Sequence, residues 1–182
     1  MQEKKRILLG ITGGIACYKA AEIARRLIKS GLDVYPVMTQ NACEFITPLT
    51  FTVLTGNKTA TNMFDRDLPQ YIPHISLARD TDLILIAPAT ANMIGKIANG
   101  IADDLLSTVV MSSTNPVIFA PAMNCEMYKN KIVQKNITTL QDAGYFFVEP
   151  DVGELACGEE GVGRLADVEQ IITKVTETIN KR

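Results

Sequence analysis

The chain has 182 residues and a mass of 19.9 kDa, with 47% apolar and 21% charged residues. This balance is typical of one packed, water-soluble domain and argues against a disordered or collagen-like chain. The formal net charge of −2, without aromatic side chains interleaved among Lys and Arg, argues against a nucleic-acid interface.

The N-terminal segment favours a cytoplasmic protein. A charged run over residues 1–6 leads into the letters ILLGIT, which are too few for the hydrophobic region of a secretory signal. No apolar run approaches the ~20 residues of a membrane span. The four cysteines form no C-x-x-C pair, so we expect neither a disulfide framework nor a bound metal. They are Cys17, Cys43, Cys125 and Cys157.

A strand, a glycine turn and a helix open the predicted fold. Residues 6–12, RILLGIT, form an apolar run that ends at Gly13 and Gly14, as a buried strand does before a tight turn. Apolar positions then recur with helical spacing over residues 18–31, where a lysine and a glycine suit the helix end. Residues 33–39, DVYPVMT, predict a second strand.

Strands and helices alternate through the rest of the chain. Strands are predicted at 82–88, 115–121 and 145–150, helices in ANMIGKIANG and ADDLLSTVVMSS, and a last helix at 167–181. Such alternation is typical of a parallel sheet covered by helices on both faces. The sequence therefore predicts a single α/β domain over the whole chain, with a doubly wound, Rossmann-like (flavodoxin-like) sheet of five or six strands.

One segment, residues 151–165, is predicted to be an irregular loop. It is rich in glycine, and glycine disfavours both helix and strand because folding must remove its backbone freedom. A loop of this kind can close over a ligand as a flap. It carries Cys157, which is either a reactive thiol or an incidental surface residue.

Polar and small residues follow three of the predicted strands. Ligands of open α/β sheets bind at the carboxyl ends of the strands, so these junctions are the candidate site. The first, TGGIA over 12–16, offers glycines and a helix N-terminus that suit an anion. Thr90 and Asn92 follow the third strand, and Met123 and Asn124 follow the fourth.

The dinucleotide pattern is absent from this site. There is no G-x-G-x-x-G, and residues 38–41, MTQN, hold no acid where a nicotinamide-binding fold has one for the ribose. Hydroxyl and amide groups there suit a phosphate better. Taken singly, each junction also has a simpler interpretation: a packing turn, a helix cap, or a turn beside core methionines. His74 is the only histidine, and a lone histidine is more often structural or merely exposed than catalytic.

Five motifs together resemble one known family, the homo-oligomeric flavin-containing cysteine decarboxylases. The motifs are GGIACYK, PHISLARDTDLILIAPATAN, GKIANGIADDLL, PAMNCEMY and LACGEEGVGRL. Their ordered series is more specific than any one of them and covers nearly the whole chain. The family pattern P-x-M-N-x-x-M-W ends here in Tyr128 instead of tryptophan, which keeps an aromatic ring.

The resemblance implies that the loops bind FMN. The implied cofactor-binding residues are Gly13, Gly14, Ile15, Ala16, Thr39, Phe45, Ala89, Thr90, Ala91, Asn92 and Ala122. The implied catalytic residues are His74, Asn124 and Cys157. The implied substrate-binding residues are Arg79, Met123, Asn124 and Ala156, of which Arg79 aligns less closely than the others.

The branch of this family that the motifs match acts on phosphopantothenoylcysteine in coenzyme A synthesis. Its members decarboxylate that small molecule to phosphopantetheine through a thioaldehyde and an enethiolate. They assemble as homotrimers or as dodecamers of four trimers, with the flavin near a subunit interface, which allows His74 and Asn124 of one site to come from different chains. A separate phosphopantothenate-cysteine ligase supplies the substrate. Neither nucleic acid nor membrane is an expected partner.

Three alternatives remain. A peptidyl-cysteine decarboxylase of the same family releases the enethiol and needs no reducing step, which the ACGEEGVGR segment argues against. A flavin prenyltransferase of similar fold lacks the PAMN and ACG motifs. A non-catalytic regulatory binding module related to this family would carry long acidic extensions.

Overall fold

The computed structural model describes residues 4–64, 73–154, 158 and 160–181. Its centre is a parallel sheet of five strands in the order β2-β1-β3-β4-β5. The strands are β1 (Arg6–Ile11), β2 (Asp33–Met38), β3 (Leu83–Ala89), β4 (Val117–Pro121) and β5 (Phe146–Phe147). β3 and β4 are buried along their whole length, as expected for apolar strands covered on both faces. The structure confirms the predicted doubly wound α/β fold.

Helices follow the strands and cover both faces of the sheet. They are α1 (Cys17–Lys29), α2 (Gln40–Cys43), α3 (Pro48–Thr55), α4 (Pro73–Arg79), α5 (Ala91–Ala98), α6 (Leu105–Ser112), α7 (Cys125–Lys129), α8 (Lys131–Asp142) and α9 (Val168–Asn180). One buried apolar cluster joins α1 and α9 to one face of the sheet, and a second joins α5, α6 and α8 to the other. The described helices include none with the length and hydropathy of a membrane span.

The predicted loop at 151–165 is wrong in most of its length. Residues Asp151–Glu154 (β6) and Glu160–Arg164 (β7) pair as an antiparallel hairpin. The glycines of β7 allow the hairpin to pack closely against Met123 and Cys125. A Cβ on Gly163 would overlap the carbonyl oxygen of Met123, and the φ of Gly163 is +147°. Glycine is therefore required where the hairpin touches the chain after β4.

The outer edge of β2 is bonded to the segment after α3. The Pro36 carbonyl accepts a hydrogen bond from the Ala60 N–H at 3.0 Å, and the Met38 N–H donates to the Ala60 carbonyl at 2.9 Å. The Asn57 amide donates to the Val34 carbonyl at 2.9 Å. Because proline has no N–H, Pro36 adds no donor to this edge. At the opposite edge, the predicted strand 145–150 is reduced to the two residues of β5.

Candidate active site

A cavity of about 930 Å³ opens at the carboxyl ends of β1, β3 and β4. The strand order changes direction between β1 and β3, and in doubly wound sheets ligands bind at this point. The volume lies in the range of small-molecule sites, ~300–1,000 Å³. The predicted location of the site therefore coincides with this cavity.

The loop after β1 is tied to the loop after β3 through Thr12. The Thr12 hydroxyl donates to the Pro88 carbonyl at 2.7 Å and accepts from the Thr90 N–H at 3.0 Å, and the side chain is almost fully buried. Beside it, a Cβ on Gly13 would overlap Asn41, so glycine lets this loop lie directly against the loop after β2. Three strand-end loops thus form one continuous wall.

The wall offers neutral groups that suit an anion. α1 begins without a side-chain cap and without an acid in its first turn, so its N-terminal dipole faces the cavity uncompensated. Thr39 and Thr90 cap α2 and α5 by accepting from the N–H groups of Ala42 and Met93, both at 3.3 Å. Each hydroxyl keeps its proton to donate to a ligand. Thr39 and Thr90 therefore cap helices and also offer hydrogen-bond donors to the cavity.

Asn124 caps α7 at the far wall of the cavity. Its Oδ1 accepts from the N–H of Glu126 at 2.8 Å and from that of Met127 at 3.4 Å. This arrangement fixes the side-chain oxygen, and the donor group of the side chain is its Nδ2 amide. The preceding Met123 N–H donates to the Gly163 carbonyl at 2.9 Å, which joins this wall to the hairpin.

An ion pair network stands in the wall between α5 and α6. The Lys96 ammonium lies 2.6 Å from an Asp103 oxygen and 2.8 Å from an Asp104 oxygen. Burial opposes ionisation of Asp104, but hydrogen bonds from Lys96 and from Ser107 outweigh it and lower the pKa of this carboxyl. Burial likewise opposes the charge of Lys96, but its two aspartates raise its pKa. The positive charge of Lys96 is therefore compensated by carboxylates within the wall.

Most residues predicted to bind the cofactor line this cavity. They are Gly13, Gly14, Ile15, Ala16, Thr39, Thr90, Ala91, Asn92 and Ala122, together with the predicted substrate contacts Met123 and Asn124. Two others do not line it: Ala89 is fully buried in the sheet, and Phe45 is 54% exposed beyond α2. Ala156 and Cys157 lie outside the described residues.

Two predicted residues lie away from the cavity of their own chain. His74 is on α4, which packs against α6, and its buried Nδ1 has no hydrogen-bond partner among the described residues. Arg79 lies at the amino ends of the strands, in a small depression with Lys5 and Asp82. A single chain therefore brings Asn124 and the cofactor loops together but neither His74 nor Arg79, whose roles stay predictions.

Sequence reasoning missed several cavity residues. They are Tyr18, Lys19, Met93, Lys96, Asp104, Met127, Glu154, Gly163, Arg164 and Leu165, whereas Thr12, Gln40 and Asn41 belong to strand-end segments that the sequence had already indicated. Some stood inside the quoted motifs GGIACYK, GKIANGIADDLL and GEEGVGRL, but no local pattern showed which of their side chains turn inward. The residues present fit FMN, because the wall combines glycines, an uncompensated helix N-terminus and hydroxyl donors with apolar residues.

Comparison with known proteins finds a matching family model and close relatives. The family model described as Flavoprotein matches residues 1–180. The chain is 47% identical over 172 residues to the "Coenzyme A biosynthesis bifunctional protein CoaBC" of Bacillus subtilis, covering 94% of this chain and 42% of that protein. It is 45% identical over 177 residues to the "Probable phosphopantothenoylcysteine decarboxylase" of Streptococcus mutans, covering 96% of this chain and 99% of that protein.

A solved structure has the same fold. The FMN-dependent cysteine decarboxylase SpaF superposes with a TM-score of 0.85 at 28% identity, covering 97% of this chain and 96% of that one. The chain spans less than half the length of the Bacillus subtilis relative.

Proposed function

Because the chain belongs to the flavoprotein family, we propose that it is an FMN-dependent decarboxylase that converts 4'-phosphopantothenoylcysteine to 4'-phosphopantetheine in coenzyme A biosynthesis. The relative from Streptococcus mutans, which this chain covers almost completely, carries the name of that activity. The observation that carries the proposal is the cavity itself, where three strand-end loops with phosphate-binding donors meet the Met123-Asn124 segment.

The residues of the cavity have distinct roles in this proposal. The α1 N-terminus and the Thr39 and Thr90 hydroxyls hold the phosphate of FMN. FMN, when bound, supplies an acceptor and later a donor of hydride for the carbon that bears the substrate's sulfur, so that the electrons released with CO2 can pass into sulfur. The Asn124 amide holds the substrate carboxylate. An uncharged donor orients this group without stabilising it as strongly as a cation would.

Two protons must move during the reaction. His74, with an imidazole suited to proton transfer near neutral pH, takes the proton of the substrate thiol. Cys157 returns a proton to the carbon that has lost CO2, because a thiol is a usable acid at neutral pH.

The active unit is proposed to be a homo-oligomer, a trimer or a dodecamer of four trimers. His74 lies outside the cavity of its own chain, and three apolar side chains at the cavity rim are about half exposed or more: Ile15, Tyr18 and Met127. A neighbouring copy that covers this rim would bury these apolar side chains and would supply His74. A separate ligase supplies the substrate, and the cytoplasm, where coenzyme A is made, is the proposed location.

The proposal is tested by the ligand and by the product. We expect mass spectrometry of the purified yellow protein to release FMN, and we expect phosphopantothenoylcysteine to yield CO2 and phosphopantetheine. Release of an adenine-containing flavin, or a colourless protein, would contradict the cofactor assignment. Turnover of a cysteine-ending peptide to its enethiol, without turnover of phosphopantothenoylcysteine, would favour the peptidyl-cysteine decarboxylase instead.

Cys157→Ser tests the last proton transfer. Serine is nearly isosteric with cysteine but a far weaker acid, so the variant is expected to oxidise and decarboxylate the substrate and then to stop. The measured product should be two hydrogens short of phosphopantetheine. Formation of phosphopantetheine at the wild-type rate would show that another group supplies the proton.

A further inference from the structure

Two cations line the cavity without an ion-pair partner. The described charged residues of the wall are Lys19, Lys96, Asp104, Glu154 and Arg164. Lys96 is neutralised by Asp103 and Asp104. Lys19 and Arg164 have no carboxylate in ion-pair contact among the described residues, and Glu154 is the remaining acid of the wall. Lys19 and Arg164 therefore bring to the wall two positive charges that no described carboxylate meets at ion-pair distance.

The two cations are next to residues of the same apolar cluster, which packs on one face of the sheet. Arg164 ends β7, and the next residue, Leu165, is buried in the apolar cluster that also contains Cys17 and Ala20 of α1. Lys19 lies between those two residues on α1. The Arg164 guanidinium passes over Gly153 of β6, where a Cβ would lie 3.3 Å from Nη1. The hairpin thus places Arg164 in the wall of the cavity, directly before a residue of the cluster that α1 also enters.

The FMN phosphate has donors of its own at the strand-end loops, and all of them are neutral. The substrate proposed above carries a second phosphate monoester, which holds nearly two negative charges at neutral pH and calls for a cation. Arg164 comes from the hairpin, whose Gly163 carbonyl accepts from the N–H of Met123, next to the carboxylate-binding Asn124. The hairpin therefore contacts the chain directly before Asn124 and also contributes Arg164 to the cavity wall.

We propose that Arg164, assisted by Lys19, binds the phosphate monoester of the substrate and selects for the phosphorylated molecule. The inference rests on the proposed function and adds a specificity residue to it. An arginine fork binds two phosphate oxygens at once, whereas a dephosphorylated molecule or a peptide leaves it without a partner. The binding is present in both the ground state and the transition state, so its loss changes KM more than kcat.

The test compares phosphopantothenoylcysteine with pantothenoylcysteine, which lacks the phosphate, on the purified holoenzyme. For Arg164→Met we expect the KM for the phosphorylated substrate to rise about 10- to 100-fold with little change in kcat. The KM for pantothenoylcysteine should not change. Arg164→Lys should recover part of the loss, and Lys19→Met should show a smaller, equally phosphate-dependent effect. Arg25→Met, an exposed cation of α1 outside the cavity, is the matched control.

The possible failures are distinguishable. An equal loss with both substrates would overturn the inference and make Arg164 a structural residue. A fall in the FMN content of the purified Arg164→Met variant would also overturn it, because Arg164 would then hold the phosphate of the cofactor. If the wild-type protein decarboxylates neither compound, the proposed function itself fails. If it decarboxylates both with equal KM, only the phosphate site fails.

Discussion

Asn124→Asp is expected to abolish decarboxylation while the protein stays folded and yellow. The Oδ1 atom of Asn124 caps α7, and aspartate caps helices equally well, so the fold should not change. The variant loses the Nδ2 donor and places a negative charge where the substrate carboxylate binds. We expect kcat/KM to fall by at least ~100-fold, since a donor is lost and a repulsion is added. Steady-state kinetics with phosphopantothenoylcysteine measure the effect.

The chain offers a matched control for this change. Asn130 caps α8 by accepting from the Ile132 N–H at 2.9 Å and does not line the cavity, so Asn130→Asp should keep full activity. Co-expression of Asn124→Asp with His74→Asn tests whether two copies of the chain share one site. If one site takes His74 from one copy and Asn124 from another, mixed oligomers contain some intact sites and regain activity. Wild-type turnover by Asn124→Asp alone would contradict the role of the amide.

Gly163→Ala is expected to lower the free energy of unfolding by about 2–5 kcal/mol, which combines backbone strain and overpacking. The new Cβ would overlap the Met123 carbonyl, and a φ of +147° is rarely adopted by alanine. The hydrogen bond from the Met123 N–H to the Gly163 carbonyl should be lost with the close contact. Urea unfolding measures stability, and hydrogen exchange of the Met123 amide measures the loss of the local bond.

Gly144→Ala separates the cost of backbone strain from the cost of overpacking. Gly144 has a φ of +90°, but a Cβ there meets nothing within 4 Å. Its replacement should cost only the strain of the left-handed backbone, about 1 kcal/mol. A similar cost for both variants would mean that the hairpin shifts away from Met123 without penalty.

The strands were predictable because a strand that is buried on both faces has a continuous run of apolar residues. β3 reads LILIAPA and is buried at every position, and a short, continuous apolar run of this kind is typical of a strand that is covered on both faces. The strand-end loops were predictable for a related reason, since in a parallel sheet their position follows from the strands alone. The candidate site could therefore be located before any side chain was placed.

The hairpin could not be predicted in the same way. The glycines of β6 and β7 disfavour a strand locally, and the contacts that require them, with Met123 and Cys125, come from a segment about 40 residues earlier. The inward direction of Lys19, Lys96 and Arg164 depends on the same long-range packing. His74 and Arg79 show a further limit, because a motif names residues without showing where the fold places them.

The bonded outer edge of β2 also affects how this protein behaves when it is concentrated. A free sheet edge is a template on which strands of other molecules add, and fibrous aggregates grow in this way. Here the outward carbonyls of Val34 and Pro36 and the N–H of Met38 already have partners, and Pro36 has no N–H to offer. The edge at β5 is only two residues long. Neither edge of the central sheet therefore offers a long row of free backbone groups on which a strand of another copy could add.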